Sequence, residues 1–303
     1  MTGAERRSDS GSVSMKCAEY REPKVASSTG RRALPRWSGF LAFCGAFILL
    51  LAPFELSGEA PPAANGAFSA YLDGVEKHLA EQHGAQSGFL SLGALNPEKL
   101  AAMRRGELMV EKLTPSPGPE LPGAMLHHWR GSAFVAGAKA ADFERLLRDY
   151  NAYPRRFSPQ VLQARVLSGQ GDRLVVTMRV RQRHIITVVM DTTYDVTYGR
   201  LDGQRGYSLS RSKRIAEIES PGTAKERTLS PSEEHGFLWQ LNTYWSWEER
   251  DGGLFMQVES VSLTRSIPHG LGWLIGPFVE SVPRESLEFT LRSASDALRR
   301  GSK

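Results

Sequence analysis

Cysteine is nearly absent from the 303-residue chain, and its two cysteines, Cys17 and Cys44, both lie in the first 50 residues. The rest of the sequence therefore has no disulfide framework, no thiolate metal site and no cysteine nucleophile. It also lacks a G-x-S-x-G nucleophile elbow, a P-loop and a G-x-G-x-x-G turn between a strand and a helix. We predict neither a cofactor nor a metal site.

The short patterns that suggest catalysis do not meet its geometric needs. His127 and His128 are neighbours on a predicted strand, so they point to opposite faces and cannot chelate one metal ion. Ser210 and Lys213 have the S-x-x-K spacing of serine acyl-enzymes, which places both residues on one helical turn. Here the pair lies in a predicted strand without the companion motifs, and we interpret it as chance.

Net positive charge is concentrated at the amino terminus. The formal charge is +5, and residues 1–36 hold eight basic and four acidic residues. The remainder of the chain is therefore close to neutral, which gives no indication of a nucleic-acid surface. Because residues 1–36 are polar and have few apolar positions, we expect a disordered tail.

Residues 37–54 form an uncharged run of eighteen, preceded by Arg31, Arg32 and Arg36. As a helix this run would span about 27 Å, close to the thickness of a bilayer core. We expect residues 37–56 to be a transmembrane anchor with the basic flank in the cytoplasm and residues after 56 extracytoplasmic. A cleaved signal segment, with export of the remainder, is the alternative, and a buried core helix is the third reading.

Beyond this segment the sequence predicts one domain. Residues 57–105 are expected to be a linker, centred on the Pro- and Ala-rich residues 61–66, and a short helical lead-in. From residue 106 two strands, a helix, a meander of antiparallel strands and a long terminal helix follow in order. The class is α+β, because a long antiparallel sheet must bury one face and the terminal helix is its only large apolar partner.

Two stretches carry a resemblance to a known family. Residues 142–156, DFERLLRDYNAYPRR, and residues 258–298, which lead from the last strand into the terminal helix, resemble START-like helix-grip proteins. That group includes polyketide cyclases, coenzyme-Q-binding proteins and START lipid-transfer domains. The resemblance covers about residues 106–300 and implies a curved antiparallel sheet around a long carboxy-terminal helix. It also implies a pocket for a hydrophobic ligand between them, and it carries over no catalytic residue.

Strand alternation selects the side chains that we expect to line this pocket. Apolar residues recur at every second position of the predicted strands, and tryptophan and methionine offer broad, adaptable surface. Packing in an ordinary core is the alternative for each of them. The predicted ligand-binding residues are Met178, Met190, Tyr194, Tyr207, Arg211, Trp239, Trp245 and Met256.

Arg211 is the polar member of this set. It shares a strand face with Tyr207 and Leu209, so we expect its guanidinium to point inward. A buried guanidinium needs a partner, which is either an anionic group of the ligand or Glu259.

The sequence leaves three functions open. The first is membrane-tethered binding or transfer of a lipid, quinone or isoprenoid-like molecule. The second is a cyclase or hydrolase that uses Tyr194, Tyr207 or His184 as acid or base in the same pocket. The third is an interaction scaffold with a filled core. The predicted partners are a hydrophobic small molecule and a membrane. Leu271, Trp273 and Leu274 lie in a predicted loop over the pocket mouth and would suit contact with a membrane surface. Packing of these three residues on the terminal helix is the alternative.

Overall fold

The structure is a computed structural model that describes residues 58–85, 88–94, 96–183, 186–267 and 272–301, with the backbone alone for 93–94 and 272–280. Several predicted features lie outside the described residues or side chains. They are the tail at 1–36, the membrane segment at 37–56, His184, and the loop side chains of Leu271, Trp273 and Leu274.

Five α-helices and nine strands make up the described chain. The helices are α1 (Pro62–Gly84), α2 (Pro97–Arg104), α3 (Ala140–Arg148), α4 (Tyr153–Arg156) and α5 (Gly272–Gly301). The strands are β1 (Met109–Lys112), β2 (Ala124–Ala136), β3 (Val161–Gln170), β4 (Arg173–Arg183), β5 (Thr187–Arg200), β6 (Arg205–Glu219), β7 (Arg227–Thr228), β8 (Gln240–Arg250) and β9 (Gly253–Arg265).

The strands form one antiparallel sheet in the order β1-β2-β9-β8-β6-β5-β4-β3, with the short β7 paired to the end of β6. Neighbours in sequence are mostly neighbours in the sheet, as tight turns between antiparallel strands allow. The exceptions are the β6–β8 pair, which skips the short β7, and the β2–β9 pair, which brings the first long strand against the last. The predicted order of strands and helices is confirmed.

The long helix α5 packs on one side of the sheet, which we call the inner face. Leu287, Leu291, Ala294 and Leu298 form its buried stripe at a spacing of three or four residues. They pack with Val135, Trp245, Trp247 and Met256 of the strands and with Phe143 of α3. The closest approach is at Gly131 of β2, where a Cβ atom would lie 2.4 Å from Cδ1 of Leu291. The curved sheet around a carboxy-terminal helix is thus confirmed.

The other side of the sheet, the outer face, is covered by α1. Ala64, Phe68 and Leu79 of this helix pack against Leu126, Tyr244, Val261 and Leu263. Next to α1, Phe89, Leu90, Leu92 and Met103 of the following segment cover Phe134 and Phe255. The predicted linker at 61–66 is wrong from Pro62 onward, because these residues form the first turns of α1. Proline is accepted at that position because the first helical N–H groups need no partner within the helix.

No helix in the described part of the chain combines the length and the apolar composition needed to cross a bilayer.

Replacing Phe68 with alanine tests whether α1 is an integral layer of the domain. The Phe68 side chain has no exposed surface, so the change leaves a cavity and should lower the free energy of unfolding by about 3–5 kcal/mol. Denaturant unfolding of the purified protein measures this loss. The control Lys77→Ala, at an exposed position on the same helix, should stay within about 0.5 kcal/mol. A Phe68→Ala loss as small as the control's would contradict the packing of α1.

Candidate functional site

The antiparallel register aligns inner-face residues into rows that cross the sheet. Near one end of the strands the rows are apolar: Trp247 pairs with Met256, and Trp245 pairs with Val258. These residues belong to the core that α5 and α3 complete, and Phe143 meets both tryptophans edge-on at centroid distances of 5.2 and 5.4 Å. This end of the inner face is filled.

The next row is polar at its centre. Ser260 of β9 pairs with Thr243 of β8, and Thr243 pairs with Ser210 of β6. Trp129 of β2 pairs with Ser260 from the other side. We call these four residues the hydroxyl row. The indole Nε1 of Trp129 is buried and has no hydrogen-bond partner among the described residues.

The row beyond it continues this character. It contains His127, Ser262, Leu241, Ser212 and Tyr194, in that order across the sheet. Two of its polar groups are satisfied within the protein: His127 Nε2 lies 3.0 Å from Oγ1 of Thr264, and Ser212 Oγ accepts a hydrogen bond from the backbone of Leu241. Burial raises the pKa of Tyr194 to about 12, so this phenol is a poor general base at neutral pH.

The centre of the inner face is not sealed by α5. Ser210, Leu241, Thr243 and Ser260 are all half-buried, although they lie on central strands flanked by others on both sides. Part of the surface of these side chains is therefore accessible to solvent on the inner face, the side on which α5 packs. We call the solvent-accessible space beside them the inner cavity.

Strands β5 and β4 continue the inner face on the side away from β2. Met178 and Leu174 are half-buried and pack against the inner core, while Met190 and Val196 are buried. At the end of β4, Gln182 Nε2 donates a hydrogen bond of 3.1 Å to Ser286 Oγ of α5. The helix therefore touches the sheet near both β2 and β4.

Five of the eight predicted ligand-binding residues lie on the inner face. Met178, Tyr194, Trp245 and Met256 belong to the inner core or pack against it, and Met190 shares the parity of Tyr194 on β5. Met256 and Trp245 lie in the filled part, whereas Met178 is half-buried on β4. Their contact with a ligand stays a prediction.

The inward orientation predicted for Tyr207, Arg211 and Trp239 is wrong. Tyr207 and Arg211 do share a face of β6, but it is the outer face beneath α1. Trp239 precedes β8, packs with the outer-face core and donates its Nε1–H to the carbonyl of Gly58 at 2.6 Å. Sequence alternation correctly grouped Tyr207 and Arg211 on one face of β6. The packing of α1 against that face makes it the outer face.

Arg211 binds Glu76 of α1 rather than Glu259 or an inner-cavity ligand. Its Nε and Nη2 atoms donate to the two carboxylate oxygens of Glu76, each at 2.6 Å, and Tyr244 donates to the same group at 3.0 Å. Burial raises the pKa of Glu76, but the hydrogen bonds from Arg211 and Tyr244 outweigh it and leave the pKa below its usual value. The pair fastens α1 to β6.

Glu259 forms a second buried polar cluster on the outer face. It accepts hydrogen bonds from Arg130 Nε at 2.8 Å, and His128 Nε2 lies 3.0 Å from its other oxygen. The remaining ring nitrogen of His128 is 2.8 Å from the hydroxyl of Tyr71 on α1. Burial raises the pKa of Glu259, but His128 and Arg130 together lower it overall. Each member has a partner, so the cluster is structural.

His83 closes the outer face near the end of α1. Its ring stacks on Tyr207 at a centroid distance of 4.4 Å, and its Nε2 lies 2.8 Å from Ser246 Oγ. Burial lowers the pKa of His83 to about 4. A surface hollow of about 310 Å³ opens beside this stack, lined by α1 and by Leu201, Tyr207 and Leu209. The chain positions described here contain no group of three or more His, Cys, Asp or Glu residues arranged to hold a metal ion.

Comparisons with known proteins give likenesses in structure only. No protein-family model and no curated protein matches the chain. A START superfamily protein from Mycobacterium smegmatis matches 57% of this chain and 97% of its own, with 13% identity and a TM-score of 0.39. A STAR-related lipid transfer protein from Xanthomonas axonopodis matches 64% and 98%, with 18% identity and a TM-score of 0.38. An aromatase/cyclase from Streptomyces matches 59% and 97%, with 14% identity and a TM-score of 0.40.

These likenesses concern the fold alone. The predicted helix-grip arrangement, an antiparallel sheet packed around a long carboxy-terminal helix, is confirmed by the strand order and the packing of α5 described above.

The sequence contained signals for two features that we did not predict from alternation: the coverage of β9 on both faces and the polar inner face of β6. Strand β9 is apolar at both parities, with Phe255, Val261 and Leu263 at one parity and Met256 and Val258 at the other, which is typical of a strand covered on both faces. The serines at positions 208, 210 and 212 alternate with Tyr207, Leu209 and Arg211. That pattern marks a strand with one polar face, and here the polar face is the inner one.

The depressed pKa of His83 predicts a pH dependence of stability. Between pH 6.5 and about 4 the unfolded chain binds a proton at His83 that the folded chain does not. The free energy of unfolding therefore falls as the pH is lowered through this window. Urea unfolding at about pH 7.5 and about pH 5 should give a smaller pH difference for His83→Gln than for the wild type. His78→Gln, at an exposed position of the same helix, should keep the wild-type difference. An unchanged pH difference in His83→Gln would contradict the assignment.

Proposed function

We propose that this protein binds a hydrophobic small molecule in the inner cavity between the sheet and α5. The observation that carries the proposal is the partial exposure of Ser210, Leu241, Thr243 and Ser260 on the inner face of central strands. An inner face that only formed a core would be close-packed at these positions. A sheltered space bordered by methionine, tyrosine and leucine is the usual form of a small-molecule site.

Binding or carriage is favoured over catalysis by the chemistry of the inner residues. Tyr194 holds its proton with a pKa of about 12, and Tyr207 lies on the outer face against His83. Tyr194 is therefore a poor general base, and Tyr207 does not face the inner cavity. The third, His184, lies outside the described residues.

Filling the inner cavity tests the proposal directly. Met178 is half-buried at the cavity wall, and a larger side chain there occupies ligand space. Met178→Trp should weaken binding of the neutral fluorescent probe N-phenyl-1-naphthylamine by at least about 5-fold. Fluorescence titration of the purified full chain measures the affinity, and thermal unfolding monitored by circular dichroism verifies that the variant is folded.

Arg211→Met is the matched control, because Arg211 contacts Glu76 on the opposite face of the sheet. It should bind the probe as the wild type does, at a temperature at which circular dichroism shows this variant to be folded, because the change also removes the partner of Glu76. If Arg211→Met weakens binding while Met178→Trp does not, the site lies on the outer face and the inner-cavity proposal fails. If the wild type binds no probe and yields no apolar molecule on solvent extraction and mass spectrometry, hydrophobic-ligand binding itself is contradicted.

We further propose that residues 37–56 anchor this binding domain in a membrane, with the amino terminus cytoplasmic and the domain extracytoplasmic. The support is the uncharged eighteen-residue run and the arginines that precede it. Cell fractionation followed by sequencing of the mature amino terminus should find an uncleaved chain in the membrane fraction. A soluble exported chain that begins after residue 56 would instead establish the cleaved-signal alternative.

A further inference from the structure

Burial along the inner face changes abruptly between two neighbouring rows. In the hydroxyl row, Ser210, Thr243 and Ser260 are half-buried. In the next row toward Trp247, the residues two positions along the same strands are buried, and they are Ser208, Trp245 and Val258. Because the change falls at the same level on three adjacent strands, it marks a boundary that runs across the sheet.

The side of this boundary that holds Trp247 is filled by close-packed side chains. Phe143 and Met256 have no exposed surface, and Trp247 retains 2% of its own. Phe143 of α3 meets the rings of Trp245 and Trp247 edge-on. Trp245 itself keeps 7% of its surface exposed. A ligand that lies along the strands in the inner cavity therefore ends against the Trp245 ring.

The accessible side of the boundary is a strip along β6 and β8. Its half-buried members on these two strands are Ser210, Ser212, Leu241 and Thr243. On either side of the strip Ser262 of β9 and Tyr194 of β5 are buried. Adjacent strands are about 5 Å apart, so the strip has the width of a single hydrocarbon chain.

The strip also has a definite length. Trp245 lies five residues from Gln240, where β8 begins, and a strand of that length advances by about 17 Å. An extended chain advances by about 1.2 Å per bond.

We infer that Trp245 limits the length of the ligand, so that the inner cavity takes one apolar chain of up to about 14 carbons with its inner end against the indole. The inference rests on the proposed hydrophobic-ligand function and narrows it by size. A longer isoprenoid or acyl chain would extend beyond the ends of the strands.

Straight-chain alcohols of about 6 to 18 carbons measure this length by competition on the full chain loaded with N-phenyl-1-naphthylamine, because each buried methylene should lower the displacing concentration by about 4-fold. Their head group is the same throughout and uncharged, so only chain length varies. The gain should stop near about 14 carbons, and we call that carbon number the break. A gain that continues through the longest alcohol would overturn the inference.

Two variants should move the break in opposite directions. Thr243→Phe fills the strip from a half-buried position about 7 Å nearer the strand end than Trp245, and it should shorten the break by about 5 carbons. Trp245→Leu removes the indole and should lengthen the break by about 2 carbons. A solubility limit of the alcohols would be the same in every variant, so it could not produce these shifts.

Each variant has a matched control on the outer face. Thr197→Phe makes the same change as Thr243→Phe at a position that pairs with Leu209. Trp239→Leu makes the same change as Trp245→Leu beside Gly58. Both controls should keep the wild-type break. Circular dichroism verifies folding, and if Trp245→Leu does not fold, Thr243→Phe provides the test because its side chain needs no space in the core.

The possible failures are distinct. If the wild type binds the probe but the break is unchanged in Thr243→Phe, the inference is wrong and the proposed function stands. If Thr197→Phe shifts the break as much as Thr243→Phe does, the alcohols do not measure the strip and the inference is again wrong. If the wild type binds neither the probe nor any alcohol, the proposed function fails and the inference fails with it.

Discussion

Coverage of the sheet on both faces is the constraint on which the rest of this structure depends. The central strands β2, β8 and β9 carry large apolar side chains at both parities, so neither face can be left in water. The two covers are unlike each other. Helix α1 lies on the outer face with its apolar stripe and a set of buried polar contacts, whereas α5 packs closely on β2 and β9 and leaves the middle of the inner face accessible.

Because α1 and α5 cover the two faces differently, the outer face contributes mainly to stability and the inner face is the one proposed to bind a ligand. Charged groups under α1 are matched with one another: Arg211 with Glu76, and Glu259 with both Arg130 and His128. Losing one partner would leave the other charge uncompensated, which makes the outer face intolerant of change. Among the described residues, the ion pairs named above do not involve the two middle rows of the inner face, where serine and threonine hydroxyls are the main polar groups.

Much of the architecture could be predicted from the sequence, because periodicity and turns are local properties. Strands β4 and β5 alternate cleanly, with Met178 and Tyr194 inward and the Arg179–Asp191 pair outward. The rule that apolar side chains face the inner core failed at β6, where Tyr207 and Leu209 lie against α1 on the outer face and Ser208 and Ser210 lie on the inner face. Sequence periodicity identifies the two faces of a strand, but only tertiary packing decides which one a helix covers. The inward orientation predicted for Trp239 was wrong for another reason. Trp239 lies just before β8, which begins at Gln240, so the alternation of that strand does not apply to it.

Gly131 has a consequence for the dimensions of the inner cavity. Its missing side chain lets Leu287 and Leu291 rest almost on the backbone of β2, so this position fixes the distance between helix axis and sheet. Across the sheet the Gln182–Ser286 contact fixes that distance again from β4. Helix α5 is thus held against the sheet at two points, and the residue at position 131 sets the distance between helix and sheet at one of them. A larger residue at position 131 would push α5 away from β2 at that point. The inner cavity would become larger although every other side chain of the sheet stayed the same.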